Sequence, residues 1–203
     1  MDFREVNVDV NVNQDQLSTP ERFQMYPFIR LAWQFQRHRN DPEIGVFDTH
    51  VSHHICWPWD LDMFAELNNG RMLTLYDMGR MPLAGRIGLV KALRANRWGL
   101  TIAGSTARYR RRVRAFDRIT MKSRGLCWDE RFFYIEQSMW LSNGECASHV
   151  LYRSAVTDKN GIVDPERIVE AVGYQGEKPA MPDWVSRWVE AEDKRPWPPM
   201  SEG

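Results

Sequence analysis

The sequence that decides the fold of this chain is Asp60-Leu-Asp-Met-Phe-Ala-Glu-Leu-Asn-Asn-Gly-Arg-Met-Leu-Thr-Leu-Tyr-Asp-Met78. Its first half is acidic and ends at the pair Asn68-Asn69, and asparagine caps a helix by accepting hydrogen bonds from unpaired first-turn amides. A helix N-terminus also carries a partial positive charge, so it can hold a polarised carbonyl oxygen while a neighbouring carboxylate drives attack on the carbon. Residues 57–71, which we call the hub, are therefore either an active-site segment or an acidic turn before an ordinary cap.

The second half of this stretch opens a helix that is apolar on nearly every side. The apolar positions are Met72, Leu73, Leu75, Tyr76, Met78, Met81, Leu83 and Ala84. A helix of this kind is buried around most of its circumference, so we expect a sheet wrapped around it. Pro82 and the glycines Gly79, Gly85 and Gly88 predict a kink or break, with a second helical piece over 89–95.

Downstream of this helix the apolar period changes from helical to alternating. Four strand-like runs cover about 100–115, 118–128, 131–141 and 145–157, and Asn143-Gly144 between the last two is a strong hairpin signal. With the run over 46–57 before the hub, the sequence predicts an α+β fold of five antiparallel strands around one apolar helix. Further helices are predicted over 21–38, with a restart at Pro27, over 164–172 and over 182–191.

Composition limits the function classes. The 203 residues contain 27 Lys plus Arg and 27 Asp plus Glu, so no net charge favours nucleic acid or an anionic membrane as the partner. We also expect no membrane span, because no run approaches about 18 apolar residues. Three cysteines without paired spacing indicate free thiols and a reducing compartment, hence the cytoplasm.

Segment composition predicts the domain organisation. We expect a loose N-terminal arm over 1–20, a single domain over 21–192, and a proline-rich tail over 193–203.

The strand before the hub contains His50, His53, His54 and Cys56, residue types that bind zinc. Alternation along a strand would place His53 on the face opposite to the other three, and no second ligand pair with a recognised spacing follows. We therefore predict no metal site and interpret these histidines as half exposed or hydrogen-bonded.

A basic run follows in the next predicted strand, where Arg108, Arg110, Arg112 and Arg114 alternate with other residues. If that strand continued to 115, the four guanidinium groups would share one face. Such a row could hold phosphates of a nucleotide-tailed substrate such as coenzyme A, or it could be a solvated face paired with acidic neighbours. A polyanion-binding role is a third interpretation, but aromatic residues are not interleaved along the run as single-strand binders need, so we do not expect nucleic acid as the partner.

The hub resembles the signature of hotdog-fold acyl-CoA thioesterases of the 4-hydroxybenzoyl-CoA thioesterase type, in the branch called thioesterase-superfamily member 6-like. That signature reads Asp-x-Asp-x-x-x-His-x-Asn-Asn, and this sequence supplies Asp60, Asp62, Asn68 and Asn69 in register. The segment Tyr109-Arg-Arg-Arg-Val-Arg-Ala-Phe-Asp117 is similar to the family's aromatic-x-Arg-Pro-Leu-x-x-x-Asp strand. The resemblance spans roughly residues 46–157.

The resemblance implies a hotdog fold and hydrolysis of an acyl-CoA thioester to a carboxylate and CoA. Asp62 would be the nucleophile or general base, and the backbone N–H of Asn69 the oxyanion donor. Residues implied in substrate binding are Asp60, Asn68, Tyr76, Arg110, Arg112 and Arg114. Coenzyme A would enter only as part of the substrate, with no separate cofactor or metal, and two chains would form a homodimer, with higher oligomers open.

One departure from the signature affects the mechanism. The family histidine is Glu66 here, which places a third carboxylate near Asp62 and would raise one of their pKa values. Glu66 is then either part of an acid–base pair or a brake on the nucleophile. A non-catalytic hotdog protein that binds acyl groups or a protein partner therefore remains the alternative.

Overall fold

The computed structural model describes residues 27–200. Its helices are α1 (Phe28–Arg37), α2 (Asn69–Arg86), α3 (Leu89–Asn96), α4 (Pro165–Ala171) and α5 (Asp183–Asp193). Its strands are β1 (His50–Ile55), β2 (Gly99–Tyr109), β3 (Arg118–Trp128), β4 (Phe133–Leu141), β5 (Cys146–Asp158) and β6 (Gly161–Ile162). The predicted arm over 1–20 and the start of the first predicted helix lie outside the described residues.

The strands form one antiparallel sheet in the order β1-β3-β4-β5-β2, and the short β6 pairs with the end of β5. The five predicted strands are therefore confirmed, with β6 as an addition. The hairpin predicted at Asn143-Gly144 joins β4 to β5, and Gly144 adopts the positive φ of 83° that this turn requires.

The central helix α2 lies against the inner face of the sheet. Met72, Leu75, Tyr76 and Met78 form the main core together with side chains of β3, β4 and β5. A Cβ at Gly79 would collide with the Met121 side chain, so this glycine permits the close approach of α2 to β3. The predicted sheet around an apolar helix is confirmed.

The predicted break of this helix falls at Gly88, one of the glycines that indicated it. Helix α2 runs through Pro82 to Arg86, and the helical path is interrupted at Gly88, where φ is 78°. Helix α3 then begins at Leu89. The predicted break is thus confirmed at Gly88, and the helix continues past Pro82 although proline lacks an N–H.

Two further helices flank the sheet. Gln34 of α1 donates to the backbone of His53, which ties α1 to β1. On the outer face, Val185 of α5 packs with Cys127, Tyr134 and Leu151. The sheet is consequently covered by α2 on one face and partly by α5 on the other.

The arginine row needs a correction. Strand β2 ends at Tyr109, so only Arg108 of the four alternating arginines lies in a strand. The amides of Arg110 and Arg111 both donate to the carbonyl of Ala147, which ends the ladder, and residues 110–117 continue as a loop. The alternation of arginine imitated a strand period that the backbone does not follow.

Candidate active site at the start of the central helix

The hub folds into a tight excursion between β1 and α2. A single turn of 3-10 helix, Pro58–Asp60, leads to a bridge between Leu61 and Leu67. At the tip the amide of Asp62 donates to the carbonyl of Glu66 at 2.8 Å, and Ala65 has a φ of 56°. The loop over 62–66 therefore projects from the same end of α2 at which the helix begins.

The first turn of α2 leaves one amide available. Asn68 caps the helix: its Oδ1 accepts from the amides of Gly70 at 2.9 Å and Arg71 at 3.2 Å, and its carbonyl accepts from Met72. Within residues 27–200, no acceptor pairs with the remaining first-turn amide, that of Asn69. Because helix N-terminal amides are strong donors to developing negative charge, this N–H can serve as an oxyanion donor.

Asp60 is buried and both of its oxygens are occupied. Arg30 of α1 donates to Oδ1 at 3.0 Å and to Oδ2 at 2.8 Å, and the amide of Trp57 also donates to Oδ2 at 3.0 Å. A bidentate guanidinium pair of this kind fixes geometry as well as charge. Asp60 thus joins α1 to the hub and holds the turn that precedes the loop.

Asp62, only two residues away, has a different environment. Its Oδ1 accepts from the amides of Phe64 at 2.8 Å and Glu66 at 3.3 Å, so the carboxylate is oriented by its own loop. Its Oδ2 has no partner among the described residues. The side chain is partly exposed, which leaves one carboxylate oxygen available for chemistry.

The basic loop reaches the hub although it is not a strand. The amide of Leu67 donates to the carbonyl of Val113 at 2.8 Å, and Arg112 lies 3.0 Å from Oε1 of Glu66. Glu66 therefore has a cationic partner beside it. Arg110 and Arg114 are exposed on the same loop, so the structure brings Arg112 to the hub and leaves the other two in solvent near it.

Tyr76 is placed in the core. The ring is fully buried and its hydroxyl lies 2.8 Å from Oγ of Ser148. Burial raises the pKa of Tyr76 far above its usual value, so it remains a neutral phenol. Contact of Tyr76 with an acyl group stays a prediction.

An apolar cavity of about 60 Å³ lies farther along the helix. Met81 and Ala84 of α2 line it together with Ile135 of the sheet and Ile168 of α4. The cavity therefore adjoins the C-terminal half of α2, while Met72 and Leu75 near the helix start are packed into the main core.

The histidines of β1 have positions and partners typical of structural residues. His50 and His54 are buried while His53 faces outward, as the alternation predicted. Ser52 lies 2.8 Å from Nε2 of His54, and Arg86 lies 2.9 Å from Nδ1 of His50. Burial lowers the pKa of His54 to about 3 and that of His50 to about 4. Within residues 27–200, no group of three or more potential ligands could hold a metal ion.

The cysteines do not offer a nucleophile. All three are free thiols, as the spacing predicted. Burial, with Asp60 as a smaller contributor, raises the pKa of Cys56 to about 11. The thiol nearest to the hub in sequence is therefore protonated at neutral pH and is a poor nucleophile.

One positioning residue was missed from the sequence. Arg30 lies 30 residues before its partner Asp60, in a helix whose apolar pattern gave no reason to single it out. Only the tertiary approach of α1 to the hub identifies it.

Comparison with known proteins defines the class. Residues 56–189 match the profile of the Thioesterase-like superfamily, and the chain belongs to that superfamily, with the hotdog fold of a sheet curled on a central helix. It falls in the THEM6-like branch. It is 30% identical over 168 residues to Protein THEM6 of Xenopus laevis, which covers 82% of this chain and 80% of that protein.

Solved structures agree on the fold. The probable thioesterase YbaW of Escherichia coli has a TM-score of 0.58 at 17% identity, over 63% of this chain and 99% of that one. The Staphylococcus aureus protein SAV2348, solved in complex with CoA, has a TM-score of 0.55 at 11% identity, over 70% of this chain and 95% of that one. Among residues 27–200, no helix is long and apolar enough to cross a membrane.

Proposed function

We propose that this protein is an acyl-CoA thioesterase in which Asp62 is the catalytic carboxylate and the backbone N–H of Asn69 is the oxyanion donor. The observation that supports this proposal is a pair of unused groups at one end of α2. Oδ2 of Asp62 and the amide of Asn69 lack partners among the described residues, while Asp60, Asn68 and Glu66 beside them are all paired.

This donor and carboxylate suffice for thioester hydrolysis. A thioester carbonyl is electrophilic and its thiolate leaves readily, so a serine–histidine pair is not required. As a nucleophile, Asp62 would form an acyl anhydride while CoA thiolate departs, and water would then cleave the anhydride. As a general base, Asp62 would take a proton from the attacking water. In both routes the Asn69 N–H stabilises the oxyanion of the tetrahedral intermediate.

The CoA portion would lie along the basic loop. Arg110, Arg112 and Arg114 provide three guanidinium groups, and guanidinium binds phosphate in a bidentate manner. The structural relative solved with CoA supports a CoA-containing substrate by analogy. Arg112 would have to exchange its partner Glu66 for a phosphate, which costs little because the arginine side chain is 71% exposed.

A second copy of the chain would complete the assembly. Strand β2 pairs only with β5 among the described strands, so its 11 residues form an edge that a second copy can extend. We propose a homodimer joined there, in the cytoplasm. The exposed apolar side chains around the hub are those of Met63, Phe64 and Phe116. Either the substrate or the partner chain would then cover them.

Turnover of a panel of acyl-CoAs, followed by detection of the free thiol, tests the proposal. The panel spans short, long and aromatic acyl groups. We expect hydrolysis of at least one member, and loss of that activity in Asp62→Asn. If the wild type binds acyl-CoA but hydrolyses none, the enzyme proposal fails and the non-catalytic acyl-binding alternative replaces it.

A further inference from the structure

A second charged feature lies on the opposite face of the sheet from α2. Arg153 of β5 pairs in register with Tyr134, whose side chain packs against α5 with Cys127 and Leu151. Its neighbour Tyr152, by contrast, contacts Arg80 of α2. Because successive strand residues point to opposite faces, Arg153 is directed away from the hub and towards α5.

The guanidinium of Arg153 has no counter-ion among the described residues. No carboxylate in residues 27–200 forms an ion pair with it, and its Nε is buried without a hydrogen-bond partner. A partly desolvated cation without an ion-pair partner is destabilising unless a ligand supplies the missing charge.

Two aromatic rings lie beside the guanidinium of Arg153. Its Cζ lies 4.7 Å from the centroid of the Phe132 ring and 5.8 Å from that of the Trp188 ring. Both distances lie within the range of a cation–π contact. A guanidinium is a planar fork of donors that matches the two oxygens of a carboxylate.

This fork lines an open pocket of about 670 Å³ between α5 and the turn joining β3 to β4. Apolar walls come from Trp128, Phe132, Met181 and Val189. The charged side chains that line it are Arg131, Arg153, Lys178, Asp129, Glu130 and Asp193. Three cations and three anions leave the pocket without net charge. A multiply charged anion would be repelled by the acidic side chains, but a single carboxylate needs only the one unpaired guanidinium.

We propose that this outer-face pocket is a binding site for an apolar monocarboxylate, with Arg153 as the bidentate partner of the carboxylate. The apolar tail lies against Phe132, Met181 and Val189. Asp129 does not compete for the guanidinium, because its oxygens accept from the hydroxyl of Tyr134 and from the amides of Arg131 and Phe132. The site is independent of thioester hydrolysis and of Asp62.

Calorimetric titration of the full chain with hexanoate tests the proposal, with 1-hexanol and inorganic phosphate as probes that lack the charge or the tail. We expect saturable binding of hexanoate alone, and a dissociation constant at least about tenfold higher in Arg153→Gln. Arg187→Gln on α5 is the matched control, since that arginine is 75% exposed and paired with Asp183. This control should bind hexanoate as the wild type does.

Absence of saturable hexanoate binding, an unchanged constant in Arg153→Gln, or tighter binding of phosphate overturns the proposal. If Arg153→Gln is unfolded at the assay temperature, Arg153→Lys decides. It keeps the charge and the aliphatic stem but loses the planar fork, so hexanoate binding should weaken about tenfold. Equal affinity in Arg153→Lys would then reject the bidentate site.

Discussion

The two sides of the hub carry the same residue type in opposite environments. On the anchored side, Asp60 is buried and held by Arg30, and α1 packs on β1 through Gln34 and His54. On the open side, the loop over 62–66 is partly exposed, and Asp62 keeps one oxygen unpaired among the described residues. A carboxylate with every acceptor occupied maintains architecture, while one with a free oxygen can do chemistry.

Acidification should have the largest effect on the free energy of unfolding, through the buried histidines of β1 on the anchored side. The folded state lowers the pKa of His54 to about 3 and that of His50 to about 4, both through burial first. The unfolded chain therefore binds protons below about pH 6.5 that the folded chain excludes until lower pH. Stability from this source is fully present above pH 6.5 and is lost as the pH falls towards 4.

We expect each histidine to account for about 3 kcal/mol of lost stability between pH 7 and pH 4. Urea unfolding at the two pH values measures the loss. In His54→Gln the decrease should be smaller by about that amount. An equal decrease in both proteins would mean that His54 is not the group that titrates.

Removing the ion pair between Arg30 and Asp60 should have the next largest effect on the free energy of unfolding. Arg30→Met leaves the carboxylate of Asp60 buried without its cation, and loss of one partner of a buried pair costs about 3 kcal/mol or more. The free energy of unfolding in urea should fall by this amount. Arg187→Met removes an exposed pair on α5 and should change it by less than about 0.5 kcal/mol. Similar losses in both variants would contradict the anchoring role.

The open side should tolerate substitution with little loss of stability. Glu66→Gln removes the ion pair with Arg112, whose side chains are 28% and 71% exposed. We expect a change in unfolding free energy of less than about 1 kcal/mol, because exposed pairs contribute little. A loss as large as that of Arg30→Met would show that the loop is as firmly anchored as Asp60.

Much of the fold could be predicted from local patterns. Strand β3 begins and ends where its alternation does, at Arg118 and Trp128, and Asp164 caps α4 as its position before Pro165 indicated. The burial alternation of His50, His53 and His54 also follows directly from strand geometry. These features depend on neighbours in sequence, so the sequence contains them.

Long-range partners could not be predicted in this way. The pairs of Asp60 with Arg30 and of Glu66 with Arg112 join residues 30 and 46 positions apart, and no periodicity encodes them. The arginine run led to the wrong prediction that the strand continues to 115, because its period of two is that of a strand. The hydrogen-bonded ladder ends at Tyr109. The sequence indicated both aspartates of the hub as site residues, and only their tertiary environments distinguish them.

The catalytic role of Asp62 is tested most directly by comparing Asp62→Asn with Asp60→Asn on the best substrate of the acyl-CoA panel, with thermal unfolding of both. We predict that Asp62→Asn lowers kcat at least about 100-fold, as loss of a general base or nucleophile does, with little change in Tm. Asp60→Asn should lower Tm by several degrees and retain substantial kcat at a temperature where it is folded. If Asp62→Asn retains wild-type kcat, or if Asp60→Asn loses activity while keeping its Tm, the assignment of the catalytic carboxylate is contradicted.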